Sequence, residues 1–377
     1  MVTMPRTLLV TNDFPPTLGG IQSYLRDFLG TLDPSEVIVF ASTQDADAAR
    51  GHDAGLPYRV IRWPRRVMLP TPATARAVAG VVAEHGVDTV WFGAAAPLAL
   101  LAPAARGAGA RRIIATTHGH EVGWSMLPGA RQLLRRIGDT ADTVTYISDY
   151  TLRRLRPAFG DHPDYVHLPS AVDTQTFRPA GAGERAATRA RFGLGEEPVI
   201  VCISRLVPRK GQDQLIRVLP HLRERHPGTR LVLVGRGGHE RRLRELAAGT
   251  GGVVFTGPLP HADMVALLAA ADIFAMPART RGKGLDVEGL GIVYLEAQAC
   301  AVPVVAGDSG GAPETVTADT GTVVDGRDRG ELTAALDRLL ADPDLRARMG
   351  AAGRAHVEQH WTWDIMGARL RSLTSAV

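Results

Sequence analysis

The sequence predicts an α/β protein made of two parallel-sheet halves, and three observations carry that prediction. Short apolar runs alternate with longer amphipathic segments, as they do when strands are covered by helices on both faces. The alternation comes in two successive series separated by a proline-bounded stretch. At 377 residues the chain is also too long for one ordinary core and suits two domains.

In order along the chain, Thr7-Leu-Leu-Val-Thr reads as a buried strand. A Pro-Pro and Gly-Gly loop follows it, then the periodic helix Ile21–Leu29. Further strands are expected at Val37–Ala41, Arg59–Arg62, Thr89–Phe92, Arg112–Thr116 and Thr143–Ile147, with helices at Thr74–His85 and Pro97–Arg106. Leu168–Pro179 is a natural crossover, and the polar, alanine-rich stretch Ala180–Glu197 leads into the second series. That series runs through Pro198–Ser204, Arg230–Gly235, Gly252–Gly257, Asp272–Met276 and Val302–Ala306. The expected division is residues 1–169 for one Rossmann-like domain and 170–360 for the other, facing each other across a cleft.

Composition narrows the function classes. Hydrophobic content of 45% and charged content of 22% are those of a globular chain. The longest apolar run, Val90–Ala105, is interrupted by Pro97 and Pro103 and is too short to span a bilayer. No charged, apolar and cleavable leader precedes Arg6, and Cys202 and Cys300 offer no framework of bridges, so a cytoplasmic location is expected. A net charge of +4 does not indicate nucleic acid, and none is expected as a partner.

Several residues could carry chemistry. Glu288 and Glu296 stand eight positions apart across Gly289 and Gly291, with a helix expected from Ile292. A helix start presents free N–H groups to an anion, and a carboxylate one or two turns inside can accept hydrogen bonds from sugar hydroxyls. Arg205 and Lys210 follow the first strand of the second series, at the expected ligand edge of an open α/β sheet. A guanidinium fork and a mobile ammonium at that spacing can converge on one diphosphate. Lys210 and Lys283 are the only lysines among 43 basic residues. Gly19 and Gly20 lie between strand and helix, where backbone amides can approach a phosphate. They do not form G-x-G-x-x-G, which argues against a dinucleotide fold. His118 and Asp13 both sit at strand ends. No metal-ligand spacing is evident, and no divalent ion is expected as a fixed ligand.

The segment around Glu288 and Glu296 resembles the E-x7-E region of the retaining, family 4 nucleotide-sugar glycosyltransferases of GT-B fold. The likeness extends through Thr11–Ser23, Thr117–Met126, Ser204–Gln212 and Arg279–Gly291. Within that family the chain looks most similar to the actinobacterial GDP-mannose-dependent enzymes that extend phosphatidylinositol monomannoside. The resemblance implies that Glu296 holds the ribose, and that Glu288 with Gly289, Leu290, Gly291 and Ile292 lies by the hexose and phosphates. It implies that His118 touches the transferred hexose. The base is expected to be read by loops near Gly257–Pro260, which include Leu259, and the choice of guanine rests on the likeness of the whole chain. The resemblance also implies that a last helix within 361–377 crosses back to the first domain. The donor would be GDP-mannose, the product GDP, and transfer would proceed with retention through same-face attack.

An inositol phospholipid acceptor needs a cationic pocket and an apolar surface that meets an anionic membrane. Trp63–Pro70, with Arg65 and Arg66, combines both, as does Gly129–Ile137, with Arg131 and Arg135 on one helical side. Asp13 could bind the acceptor hydroxyl or shape its loop. Peripheral association with the inner face of the plasma membrane is expected on this reading. A sheet-packing helix with a solvated basic face is the alternative for the second segment. The alternatives for the whole chain are a family 4 enzyme with a UDP-sugar or a soluble acceptor, and a non-catalytic or nicotinamide-dependent nucleotide-binding protein.

Overall fold

A computed structural model describes residues 6–17 and 19–375. Among them thirteen strands form two sheets, and every neighbouring pair runs parallel. The first contains β1 (Arg6–Thr11), β2 (Val37–Ser42), β3 (Arg59–Trp63), β4 (Val87–Phe92), β5 (Arg112–Thr116), β6 (Thr143–Tyr146) and β7 (Asp164–His167), in the order β3-β2-β1-β4-β5-β6-β7. The second contains β8 (Val199–Ile203), β9 (Arg230–Val234), β10 (Val253–Gly257), β11 (Ile273–Met276), β12 (Val304–Gly307) and β13 (Gly321–Val324), in the order β10-β9-β8-β11-β12-β13. Two compact units result: Met1–Ser170 with Trp363–Val377, and Ala171–Thr362.

In the first unit Leu8, Val10, Phe92, Ile113 and Val144 of the sheet share one core with Val78 and Val82 of the helix Pro72–His85. That helix starts where the residues dictate. Thr71 and Thr74 bond each other's backbone N–H groups, and Pro72 fills a position whose N–H would be unpaired anyway. The last helix, Trp363–Ser375, belongs to this unit. Trp363 meets Phe28 edge-on at 5.1 Å, and Arg369 donates to the His167 carbonyl.

Four local readings differ from the structure. The edge strands β7 and β13 were not evident, because Asp164-Tyr-Val-His and Gly321-Thr-Val-Val are short and only partly buried. The Ala180–Glu197 stretch contains a helix, Ala182–Arg191, whose buried residue is an arginine. Arg189 joins Arg185 on the Asp272 carboxylate, with N–O distances of 2.7 and 2.6 Å, so a polar sequence hides a packed face. The expected helix from Pro97 begins as a 3₁₀ turn, Leu98–Leu101, because Pro103 has no N–H to give the Ala99 carbonyl.

Candidate functional site

In each sheet the chain departs in opposite directions from two adjacent strands, β1 and β4 in the first, β8 and β11 in the second. Loops leaving the carboxyl ends of such pairs diverge and leave a crevice. Of the residues singled out from sequence, Asp13, Gly19 and Gly20 follow β1, Arg205 and Lys210 follow β8, and Glu288 to Glu296 follow β11, whereas His118, Leu259 and the arginines 65, 66, 131 and 135 follow other strands.

In the second unit Arg205 and Lys210 lie after β8, and Glu288 lies after β11. The adjacency of β8 and β11 brings Lys210 and Glu288 together. Lys210 Nζ donates to Glu288 Oε2 at 2.5 Å, and Arg209 Nη1 reaches the same oxygen at 2.7 Å. Arg209 Nε also lies 3.0 Å from Asp286 Oδ1. Lys210 and Glu288 are both buried. Burial alone would push the Glu288 carboxyl up, but the Lys210 and Arg209 charges outweigh it and hold it below its ordinary value. Lys210 is therefore already paired. Arg205 is exposed and makes no ion pair among the described residues.

The backbone of Glu288 is fixed as firmly as its side chain. Its N–H donates to Ser309 Oγ at 3.2 Å, and its carbonyl accepts from Gly311 N–H at 3.0 Å. Gly310 has φ +59°, and a Cβ there would stand 1.9 Å from the Glu288 oxygen, so only glycine fits. Ser309 and Gly310 thus shape the site, as their place after β12 suggests.

Gly291, at φ +87°, turns the chain into the helix Ile292–Ala299, whose start has no side-chain cap. The Tyr294 N–H already donates to the Gly291 carbonyl at 3.0 Å, which leaves the Ile292 and Val293 N–H groups ahead of it to meet an anion. Glu296 lies one turn inside. Its carboxylate makes no hydrogen bond or ion pair among the described residues, and burial pushes it up to about 7. Leu259, half-buried, follows β10 beside the start of the helix His261–Ala269.

In the first unit His118 follows β5. Its Nε2 lies 2.7 Å from the Gly93 carbonyl, which can only accept, so Nε2 carries the proton. Burial holds His118 below its ordinary value, against a smaller pull from Glu121. The neutral ring then has Nδ1 as an acceptor, which suits a hydroxyl. Tyr24 fixes the ring edge-on at 4.9 Å and is itself held by donating to the Leu168 carbonyl. Glu121 accepts the His118 backbone N–H at 3.1 Å, so it orders the loop. Asp13 follows β1 and accepts from Gln22 Nε2 at 3.2 Å. Gly19 and Gly20 are exposed at the start of the helix Gly20–Leu29, with no side-chain cap. A Cβ at Gly20 would meet nothing within 4 Å, whereas one at Gly19 would meet the Gln22 side chain.

Arg65 and Arg66 are exposed on the loop after β3, beside Val67 and Leu69, which are 55% and 56% exposed. Asn12 anchors this loop by pairing both backbone groups of the buried Met68. After β5, at the same edge of the parallel sheet, Leu127 is 62% exposed just before the helix Pro128–Gly138. Leu134 and Ile137 of that helix lie in the core, so they do not face lipid. Arg131 donates to the Pro157 carbonyl, and Arg135 pairs with Asp139.

Sequence reasoning missed Arg209, Asp286 and Asn12. The pair Arg209-Lys210 was visible, but their meeting with residues so far along the chain depends on β8 and β11 being neighbours. Among the described residues no three His, Cys, Asp or Glu side chains cluster in a way that could hold a metal ion. No described helix is long and apolar enough to cross a membrane.

The profile for glycosyl transferases group 1 matches residues 184–356, and that for glycosyltransferase family 4 matches residues 18–176. A Corynebacterium glutamicum protein named GDP-mannose-dependent monoacylated alpha-(1-6)-phosphatidylinositol monomannoside mannosyltransferase is 61% identical, covering 98% of this chain and 97% of its own. A Mycolicibacterium smegmatis protein named GDP-mannose-dependent alpha-(1-6)-phosphatidylinositol monomannoside mannosyltransferase is 56% identical over 98% of each chain. Among solved structures, sucrose-phosphate synthase from Thermosynechococcus elongatus is similar in fold, with TM-score 0.77, 22% identity and 98% of both chains covered.

Proposed function

The chain belongs to the family 4, group 1 glycosyltransferases, and from that premise we propose that it transfers mannose from GDP-mannose to phosphatidylinositol monomannoside in α-(1-6) linkage. The observation that carries this reading is 61% identity over 98% of the chain to a relative named for that donor and acceptor. Two whole proteins this similar keep the same substrate pockets unless lining residues change.

In this reading the second unit holds the nucleotide. Arg205 and Lys210 meet the diphosphate, with the Gly289–Ile292 amides. Glu296 accepts from the ribose hydroxyls, and Leu259 lies by the base. Exposure of Arg205 and the partnerless Glu296 carboxylate support these roles, since each offers an unused bonding capacity. As the sugar leaves, negative charge grows on the departing phosphate. Preorganised cations are worth about 2–4 kcal/mol each there.

The first unit supplies the Gly19 and Gly20 amides to the phosphates and His118 to the hexose. With its proton committed to Gly93, His118 accepts a hydroxyl through Nδ1 and orients the sugar. The departing phosphate oxygen takes the acceptor proton on the same face, which preserves the α configuration. The charge is met by side chains and amides, with no resident metal ion in the step.

Arg65, Arg66, Arg131 and Arg135 meet the acceptor headgroup or neighbouring anionic lipids, and Asp13 meets the acceptor hydroxyl. The protein works in the cytoplasm against the inner membrane face. Exposed Val67, Leu69 and Leu127 beside these arginines support that docking. Each cation at an anionic leaflet adds about 1 kcal/mol, enough for reversible attachment from a few.

The test is incubation of radiolabelled GDP-mannose, or a UDP-sugar, with defined phosphatidylinositol monomannosides, followed by mass spectrometry and NMR of the product. One added mannose in α-(1-6) linkage is expected from GDP-mannose alone. Transfer from the UDP-sugar only would overturn the donor, and a β-mannoside would overturn retention.

A further inference from the structure

Lys210 faces a conflict that the proposed chemistry leaves unresolved. It sits 2.5 Å from Glu288 Oε2, yet its assigned partner is a diphosphate. Glu288 cannot follow it, because Ser309 and Gly311 hold the backbone on both sides and Gly310 packs against the carbonyl. If Lys210 were the sole counter-charge, its departure would strand a buried carboxylate, and Lys210 would be held back by that penalty.

Arg209 removes the conflict. Its Nη1 reaches the same Oε2 at 2.7 Å, while its Nε lies 3.0 Å from Asp286 Oδ1. Its own side chain is only 13% exposed, so the geometry is held rather than transient. The Arg209 carbonyl also accepts the Arg279 N–H at 2.8 Å, tying the loop after β8 to the loop after β11. A planar guanidinium can keep both carboxylates in place while its neighbour moves, which a lysine does less well.

We propose that Arg209 is a positioning residue that keeps Glu288 charged and seated, and so frees Lys210 to engage the donor diphosphate. The idea rests on the reading that Lys210 binds that diphosphate. Arg209 itself touches Glu288 and Asp286. It acts on the donor through Lys210.

The test is calorimetric binding of GDP to the full chain and its variants between pH 5 and 8. Arg209→Gln is expected to weaken GDP about tenfold at pH 8, the order of a lost charge-assisted contact. The gap to wild type should narrow as pH falls, because burial pushes up a Glu288 carboxyl that has lost Arg209 and given up Lys210 to the diphosphate, and its protonation then costs less. Adding Glu288→Gln should restore most of the affinity, because nothing then retains Lys210. Arg209→Lys, which keeps the charge and guards against a folding defect, should fall between wild type and Arg209→Gln. A lost contact that merely loosened the loop would give neither the pH dependence nor the rescue. If Lys210→Met weakens GDP but Arg209→Gln does not, or if Glu288→Gln fails to rescue, the role of Arg209 is overturned. If Lys210→Met binds GDP as wild type does, the diphosphate reading falls and takes this inference with it.

Discussion

On the proposed ribose role, Glu296 should tie nucleotide binding to pH in the physiological range. Its carboxyl is pushed from 4.5 to about 7 by burial without a compensating partner. For a group at that value, the ionised fraction is about 0.09 at pH 6 and about 0.91 at pH 8. Only the carboxylate can accept from both ribose hydroxyls, so affinity should follow that fraction. GDP binding by wild type, divided by that of Glu296→Gln, should therefore rise about tenfold between pH 6 and 8, or about 1.4 kcal/mol. The ratio matters because the terminal phosphate of GDP titrates in both proteins and cancels. Stability of the ligand-free chain should move the other way. A carboxyl raised above its unfolded value stabilises below that value, and the contribution is lost as pH climbs through about 7. The full shift would be about 3 kcal/mol, reduced to about 1–2 because part of the side chain remains exposed. Calorimetry at pH 6, 7 and 8, with melting curves of both proteins, gives the two readings. If both proteins show the same pH dependence, the ribose role of Glu296 is refuted.

Three further outcomes follow from the packing. Gly310→Ala should cost about 2–4 kcal/mol in thermal melts and lose GDP binding, since its Cβ would overlap the Glu288 carbonyl and sit at positive φ. Gly20→Ala should melt as wild type, because its Cβ meets nothing within 4 Å, but should raise KM for GDP-mannose if phosphates approach that amide. An unchanged KM would remove Gly20 from the donor site. Leu69→Glu with Leu127→Glu should sharply reduce flotation with anionic liposomes while leaving the melting temperature within a degree or two, since both side chains are largely exposed. Undiminished flotation would reject that docking surface.

The central strands were legible because they are buried on both faces and read as continuous apolar runs. Leu8-Leu-Val and Val199-Ile-Val-Cys-Ile needed no tertiary knowledge. Two of the four edge strands, β3 and β10, were legible as well, whereas β7 and β13 are four-residue segments of mixed residues and were not. The helix Ala182–Arg191 was hidden because its inward residue, Arg189, is charged and owes its place to Asp272. The functional loops were legible for a different reason. A strand's carboxyl end is a known place, so Arg205, Lys210 and His118 could be assigned to ligand edges before any contact was known, while Glu288 was placed by the glycine-rich turn into the helix from Ile292. What lay beyond reach was pairing across distance. Nothing near Lys210 announces that Glu288 will meet it, or that Arg209 will share the same oxygen. Likewise Asn12 gives no local hint that it clasps Met68.

The placement of Trp363–Ser375 has a consequence for biogenesis. During translation the opening 170 residues leave the ribosome long before the segment that caps them, because the entire Ala171–Thr362 portion is made in between. Throughout that interval Phe28 lacks Trp363, and the Thr31, Arg112 and His167 backbone or side-chain groups lack their tail partners. A nascent chain of this design lacks those contacts until the codons for Trp363–Ser375 have been read. A late stop codon would thus injure the portion of the protein that was synthesised first.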